Sequence, residues 1–192
     1  LLENGSHISA DIVVSAADLH HTETTLLKRS AQSYPEAYWK KKQPGPSGLV
    51  VSLGISSELP ELTHHSLLFV DAWKENFDAI YKTKTLPENA SIYICNPTKS
   101  DKSLAPAGHE NLFILVPLPA GIDLSEQEVQ DAAAHYIEQS ARMIGVPDLA
   151  SRIVSQHIFS PSDFSTYYNA WEENAFGGQS HLLFQSAFFR TR

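Results

Sequence analysis

The sequence predicts an α+β fold, a sheet layered with helices. Three observations predict it. Short apolar runs of strand length alternate with stretches whose apolar residues recur every three or four positions. The longest helical stretch is bounded at both ends, by Ser125 and Glu128 in capping-box spacing and by Gly145 with Pro147 just beyond. The breaks between elements carry proline and glycine, as in Gln43-Pro44-Gly45-Pro46-Ser47-Gly48.

Taken in order, Asn4-Gly5 is a hairpin signal, because both central residues of a type I′ turn take positive φ. A strand is expected from Ser9 to Ala16. Its continuous Ile12-Val13-Val14 run suits a strand covered on both faces. Thr22 is placed to cap a short helix carrying Leu26 and Leu27. Asp18 either caps or turns the chain before it, or lies beside a neighbouring domain. Tyr34-Pro35 opens a second short helix through Trp39.

Strands are expected at Leu49 to Ile55 and Leu67 to Val70. Asp71 is placed to cap a helix with Trp73, Phe77, Ile80 and Tyr81 on one face. A strand follows at Ser91 to Cys95, then a long loop from Asn96 to Glu110; loops of this length are often functional. Leu112 to Val116 is the most apolar strand and is expected at the centre. The long helix buries Val129, Ala132, Ala133, Tyr136, Ile137, Ser140 and Ile144. Ile153 to Phe159 is a strand, Ser160-Pro161-Ser162-Asp163 a helix start with proline in the first turn, and His181 to Phe188 a last strand.

The chain has 192 residues, enough for one domain with small attachments, and 42% hydrophobic residues, enough to fill a core. Its net charge of −8 argues against nucleic acid, which needs clustered Lys and Arg. The basic run Lys40-Lys41-Lys42 is either a solvated helix end or a contact with an anionic membrane. The single cysteine, Cys95, excludes an internal disulfide and fits a reducing compartment. There is no run of about 20 apolar residues to span a bilayer and no secretory leader at the start, so a cytoplasmic location is expected, with peripheral membrane contact left open. A chain opening at Leu1 in mid-strand is expected to be a piece of a longer one.

His20-His21 and His64-His65 are adjacent pairs. Neighbours on a strand point to opposite faces, so neither pair is expected to share an ion, and no metal site is assigned. His64 and His65 fit a turn, a cap or a channel wall. Cys95 reads as an inert buried thiol. No serine, histidine and aspartate set is placed for nucleophilic catalysis, and the fingerprint G-x-G-x-x-G is absent.

Several segments, in order, resemble the phytoene desaturases, a family of FAD-dependent carotenoid dehydrogenases. Ala10-Asp11-Ile12-Val13-Val14-Ser15-Ala16-Ala17-Asp18 resembles the strand by which such chains leave their flavin domain. Leu62-Thr63-His64-His65 followed by Leu68-Phe69 resembles the family's L-x-H-H segment. Tyr93 to Pro97, then Asp101-Lys102-Ser103-Leu104-Ala105-Pro106-Ala107-Gly108, resembles its loop, and Leu115-Val116-Pro117-Leu118-Pro119 the strand end beyond. Ser160-Pro161-Ser162-Asp163-Phe164, Asn174-Ala175-Phe176-Gly177 and Gln185-Ser186-Ala187-Phe188-Phe189-Arg190 complete the order.

The resemblance implies the substrate domain of an amine-oxidase-like flavoprotein, built as a mixed, largely antiparallel sheet with helices on one face. Residues 1–19 would be the hairpin and strand leaving the FAD domain, 20–178 the substrate-binding domain and 179–192 the strand returning to it. The implied activity is dehydrogenation of a long polyisoprenoid in bacterial carotenoid biosynthesis. The reacting chain is a hydrocarbon, so the protein's part is shape and exclusion of side reactions. FAD would belong to the whole enzyme; the piece alone is expected to bind none and to be inactive. By position in the family pattern, Phe176, Gly177, Phe188, Tyr136 and Phe77 are candidates for substrate contact, and Gln185, Ser186 and Arg190 for the cofactor. No catalytic residue is assigned. Rival readings within the superfamily are an amine oxidase, a carotenoid isomerase, a retinoid saturase, or a carrier of prenylated proteins without activity.

Overall fold

The computed structural model describes residues 2, 4–177, 180, 182 and 185. Its five strands, β1 (Ser47–Ile55), β2 (His65–Leu68), β3 (Ile92–Cys95), β4 (Glu110–Leu118) and β5 (Ile153–Phe159), form one sheet in the order β2-β3-β4-β1-β5. The α+β architecture is as expected, and every pairing is antiparallel. β4 occupies the centre, where its apolar composition placed it. The α-helices are α1 (Leu19–His21), α2 (Glu36–Trp39), α3 (Trp73–Asp78), α4 (Glu126–Ile144) and α5 (Pro161–Tyr168).

Alternation along the strands builds the core. Leu49, Val51, Leu53 and Ile55 of β1, Ile92 and Ile94 of β3, and Leu112, Ile114, Val116 and Leu118 of β4 are buried. They join Ala132, Ala133, Tyr136, Ile137 and Ala141 of α4 in one cluster. The sheet thus has one face packed on α4, as period-2 strands and a 3.6-period helix require. The helix is fixed at both ends. Ser125 and Glu128 form the capping box, with the Ser125 N–H donating to the Glu128 carboxylate at 2.8 Å. Gly145 terminates it at φ 76°, a left-handed conformation that costs other residues strain. The second capping box, Ser160 with Asp163, starts α5 behind Pro161.

The expected loop between β3 and β4 holds two short 3-10 turns, Pro97–Lys99 and Lys102–Leu104. The side chain of Glu110, buried at the start of β4, fastens it. That carboxylate accepts from the Asn96 amide at 2.6 Å, the Lys99 ammonium at 2.8 Å and the Leu59 N–H at 3.1 Å. Burial pushes the Glu110 carboxyl up, but the Lys99 and Asn96 bonds, the Lys99 charge and the Leu59 N–H outweigh it and hold it below the ordinary carboxylate range.

Four expectations are corrected. Residues 9–16 are not a strand: they find no ladder partner among the described residues, and Ile12, Val13 and Val14 are 82%, 83% and 87% exposed. Asp18, not Thr22, caps the first helical turn, its carboxylate accepting from the His21 N–H at 3.1 Å, and Thr22 continues into a wider turn, Thr22–Leu26. Ala72 stands at the start of α3 in place of Asp71, without a side-chain cap. The edge strand β2 begins two residues earlier than expected, because His65 to Leu68 pair with Ile92 to Cys95. The Asn4-Gly5 turn forms, closed by Leu2 N–H to the Ser6 carbonyl at 2.8 Å. The expected last strand, His181 to Phe188, lies largely outside the described residues.

Candidate functional site

The face of the sheet opposite α4 is the structure's distinctive surface. The register lays its side chains in rows across all five strands. One row is Leu67, Tyr93, Leu115, Val50 and Phe159. The next is His65, Cys95, Phe113, Ser52 and His157. Gly54 pairs with Asn111 and Ser155, and Gly48 with Pro117, to complete the face. No Asp, Glu, Lys or Arg stands in these rows. An antiparallel sheet with one solvated face ordinarily alternates apolar with polar and charged residues. Here the outward rows carry none of the charged residues such a face ordinarily shows, although the inward face holds the Glu110 carboxylate.

A trough of about 700 Å³ lies on this face. Small residues of β1, Ser52 and Gly54, form part of its lining, with Leu104, Pro106, Phe113, Val154 and His157 around them. A side chain at Gly54 would meet the Ser155 hydroxyl, which would have to rotate away to make room. Phe113 is 37% exposed, its ring edge-to-face with Tyr93 at 6.3 Å. At the other end of β1, Phe159 packs among Phe164, Tyr167 and Tyr168 of α5, forming an aromatic corner. A strand rises ~3.3 Å per residue, so from Ser47 to Gly54 the face runs roughly 23 Å. That length suits an elongated molecule. A second depression of about 500 Å³, lined by Trp39, Lys40, Lys42, Tyr81, Trp171 and Glu172, is flanked by charge and fits a long hydrocarbon less well.

The residues proposed from sequence are not gathered at one place. Phe176 is half exposed, and Gly177 takes φ 67°. Their segment docks at the start of β1, where the Ala175 N–H donates to the Pro46 carbonyl at 3.0 Å. Gln185 belongs to the same end. Its side chain exchanges two hydrogen bonds with the Gln43 backbone, one of them from the Gln43 N–H at 3.1 Å. Tyr136 takes a core position, 1% exposed, with its hydroxyl donating to the Pro87 carbonyl at 2.8 Å, and burial pushes that phenol well up. It therefore has no surface to offer a ligand. Phe77 is carried by α3 and stacks on Tyr81 at 6.0 Å, outside the sheet's rows. Ser186, Phe188 and Arg190 lie outside the described residues. Sequence reasoning missed the Ser52, Phe113 and His157 row. Alternation signals that Phe113 faces away from Ile114, but only register sets it beside Ser52.

The histidine expectation needs a correction as well. His64 precedes β2 at a bend, so strand alternation does not govern it, and its ring lies beside that of His65 with centroids 4.2 Å apart. Cys95 is half-buried on the open face rather than enclosed.

The described residues do not form a dinucleotide cradle. Their strand pairings are all antiparallel, and no glycine-rich turn leads from a parallel strand into a helix, which a flavin pyrophosphate needs.

The described residues thus form an antiparallel sheet with one face on a helix and the other open and free of charged side chains. Comparison with known proteins shows which family the chain resembles along its length. The chain is 36% identical over 187 residues to a carotenoid 3,4-desaturase of Haloarcula japonica, covering 97% of this chain and 37% of that protein. It is 33% identical over 171 residues to a 4,4′-diaponeurosporene oxygenase of Staphylococcus haemolyticus, covering 88% and 34%. It is 31% identical over 196 residues to a lycopene-forming phytoene desaturase of Pantoea ananas, covering 98% and 39%. No family model matches. The chain is thus a homologue of the carotenoid and phytoene desaturases along nearly its whole length, and it spans somewhat over a third of the length of these relatives.

Proposed function

We propose that this chain is the substrate-binding portion of an FAD-dependent oxidoreductase that dehydrogenates a long polyisoprenoid, with the uncharged sheet face as the platform on which the hydrocarbon lies. The observation that carries this reading is the absence of any Asp, Glu, Lys or Arg from the rows of that face. A saturated hydrocarbon offers nothing to a charge, and a charge facing it would be left without solvent. The names of the relatives point to the same substrate class. FAD would be bound by the remainder of such an enzyme, and the chain alone would neither hold it nor turn substrate over. Residues 1–19 and 179–192 would then belong with the flavin domain. The exposed Ile12-Val13-Val14 run supports this for the first of them, since it has apolar surface to bury.

Phe176 and Gly177, at the Ser47 end of the platform, would stand at the domain junction, with Gln185 beside them. An amine substrate would require a carboxylate or an aromatic cage, and the rows contain no carboxylate. We further propose a cytoplasmic protein with peripheral membrane contact through Leu67, Phe69, Trp73 and Phe77, which are 63%, 74%, 63% and 49% exposed. No helix of the described residues is long and apolar enough to cross a membrane. The test is titration of the chain with a carotene presented in detergent micelles, followed by the shift of its absorption. Saturable binding that Phe113→Ala weakens is expected; binding indifferent to that change contradicts the platform.

A further inference from the structure

We propose that His64, His65 and Cys95 form a binding site for a thiophilic metal ion such as Zn²⁺ at the β2–β3 edge of the same sheet face, outside the trough that β1, β4 and β5 line. The strand register puts His65 directly opposite Cys95 on the same face, and directly opposed residues hold their Cβ atoms ~5 Å apart. The bend before β2 then folds His64 onto His65. Each of the three residues offers one ligand atom, and these atoms lie within 4.8 Å of one another. Bonds of about 2.0–2.1 Å to nitrogen and 2.3 Å to sulfur in a tetrahedron put ligand atoms roughly 3.5 Å apart. Binding an ion would draw these atoms from within 4.8 Å to roughly 3.5 Å of one another.

The surrounding groups orient the rings. The His64 Nδ1 bonds the Ser100 hydroxyl at 2.5 Å, and the His65 Nδ1 bonds the Tyr93 hydroxyl at 2.7 Å. With Nδ1 of each ring so engaged, the proposal assigns the ion to Nε2, the outer partner fixing ring orientation as at known metal sites. Two imidazoles and a thiol, with no carboxylate among them, select a borderline or soft ion over Mg²⁺ or Ca²⁺. On binding, the Cys95 sulfur gives its proton to solvent and bonds the ion as thiolate. Water takes the fourth position on the exposed side of His65. The ion would tie the four-residue edge strand β2 to β3, where the ladder is short and open to solvent.

The test uses the 192-residue chain, stripped with a chelator and titrated with Co²⁺, then with Zn²⁺. Cys95 is the one cysteine of the sequence. A thiolate-to-cobalt charge-transfer band in the near ultraviolet can therefore come only from this site. The expected result is that band at one ion per chain, abolished by Zn²⁺ competition and by Cys95→Ser. His64→Ala and His65→Ala should each weaken binding at least about tenfold, and Tyr93→Phe should weaken it about tenfold with stoichiometry unchanged. Far-ultraviolet circular dichroism confirms that the variants are folded. The wild-type spectrum decides the matter even where one is not. Cobalt binding without the charge-transfer band, no binding at all, or an affinity indifferent to both histidines would overturn the proposal.

Discussion

Phe113 and Ile114 are neighbours on β4, and truncating each to alanine should have opposite consequences. Ile114 is fully buried between the sheet and α4. Removing its side chain leaves a cavity in a packed core, a change that costs about 2–5 kcal/mol. For a chain of this size, each kcal/mol lowers the melting temperature by roughly 2–4 °C, so a clear drop in thermal stability is expected. Carotene binding by the molecules that remain folded should be little changed. Phe113 points the other way and is 37% exposed. A phenylalanine carries about 200 Å² of surface, so about 75 Å² of this ring is open to a ligand. At about 25 cal/mol per Å², covering that area is worth at most about 1.9 kcal/mol, or roughly a 20-fold change in affinity. Phe113→Ala should therefore weaken carotene binding by up to that factor while costing less stability than Ile114→Ala. The assays are thermal unfolding by circular dichroism and the micelle titration. Equal loss of stability from both changes, or stronger loss of binding from Ile114→Ala than from Phe113→Ala, would refute the assignment of faces.

Two further outcomes are expected. The Glu110 carboxyl is held below its ordinary value, so its stabilising contribution is complete above the unfolded pKa of about 4.3 and is lost as pH falls through the lower folded value. Glu110→Gln should flatten that part of the acid-unfolding curve, measured as urea midpoint against pH, and an unchanged curve would remove Glu110 as its source. Ser125→Ala deletes the capping hydroxyl of α4 and should cost about 1 kcal/mol, or roughly 2–4 °C in melting temperature; an unshifted transition would mean the cap contributes nothing.

Local chemistry was legible in the sequence wherever a backbone group had a single obvious partner. The Ser125–Glu128 and Ser160–Asp163 boxes and the Gly145 stop stand where their residue types require. Strand β5 has the bounds its composition suggests. Ile12-Val13-Val14 misled because an apolar run signals a buried strand only when a partner strand is present to pair with it. The histidine pair misled because alternation was applied one residue beyond the strand, to His64 at a bend. The candidate site was largely illegible for a different reason. Its residues come from five strands, and their adjacency is a matter of register between segments far apart in sequence, such as Ser52 with Phe113 and His157. Tyr136 shows the converse: helical spacing places it on the apolar stripe of α4, and that stripe faces the core.

The most direct test of the platform is photolabelling of the chain with a diazirine-bearing polyprenyl probe, with the modified residues mapped by mass spectrometry. Labels concentrated on the outward residues of β1, β4 and β5, among them Ser52, Phe113, Leu115 and His157, are the predicted result. Labels confined to α3 or to the solvent side of α4, with that sheet face unmodified, would contradict it.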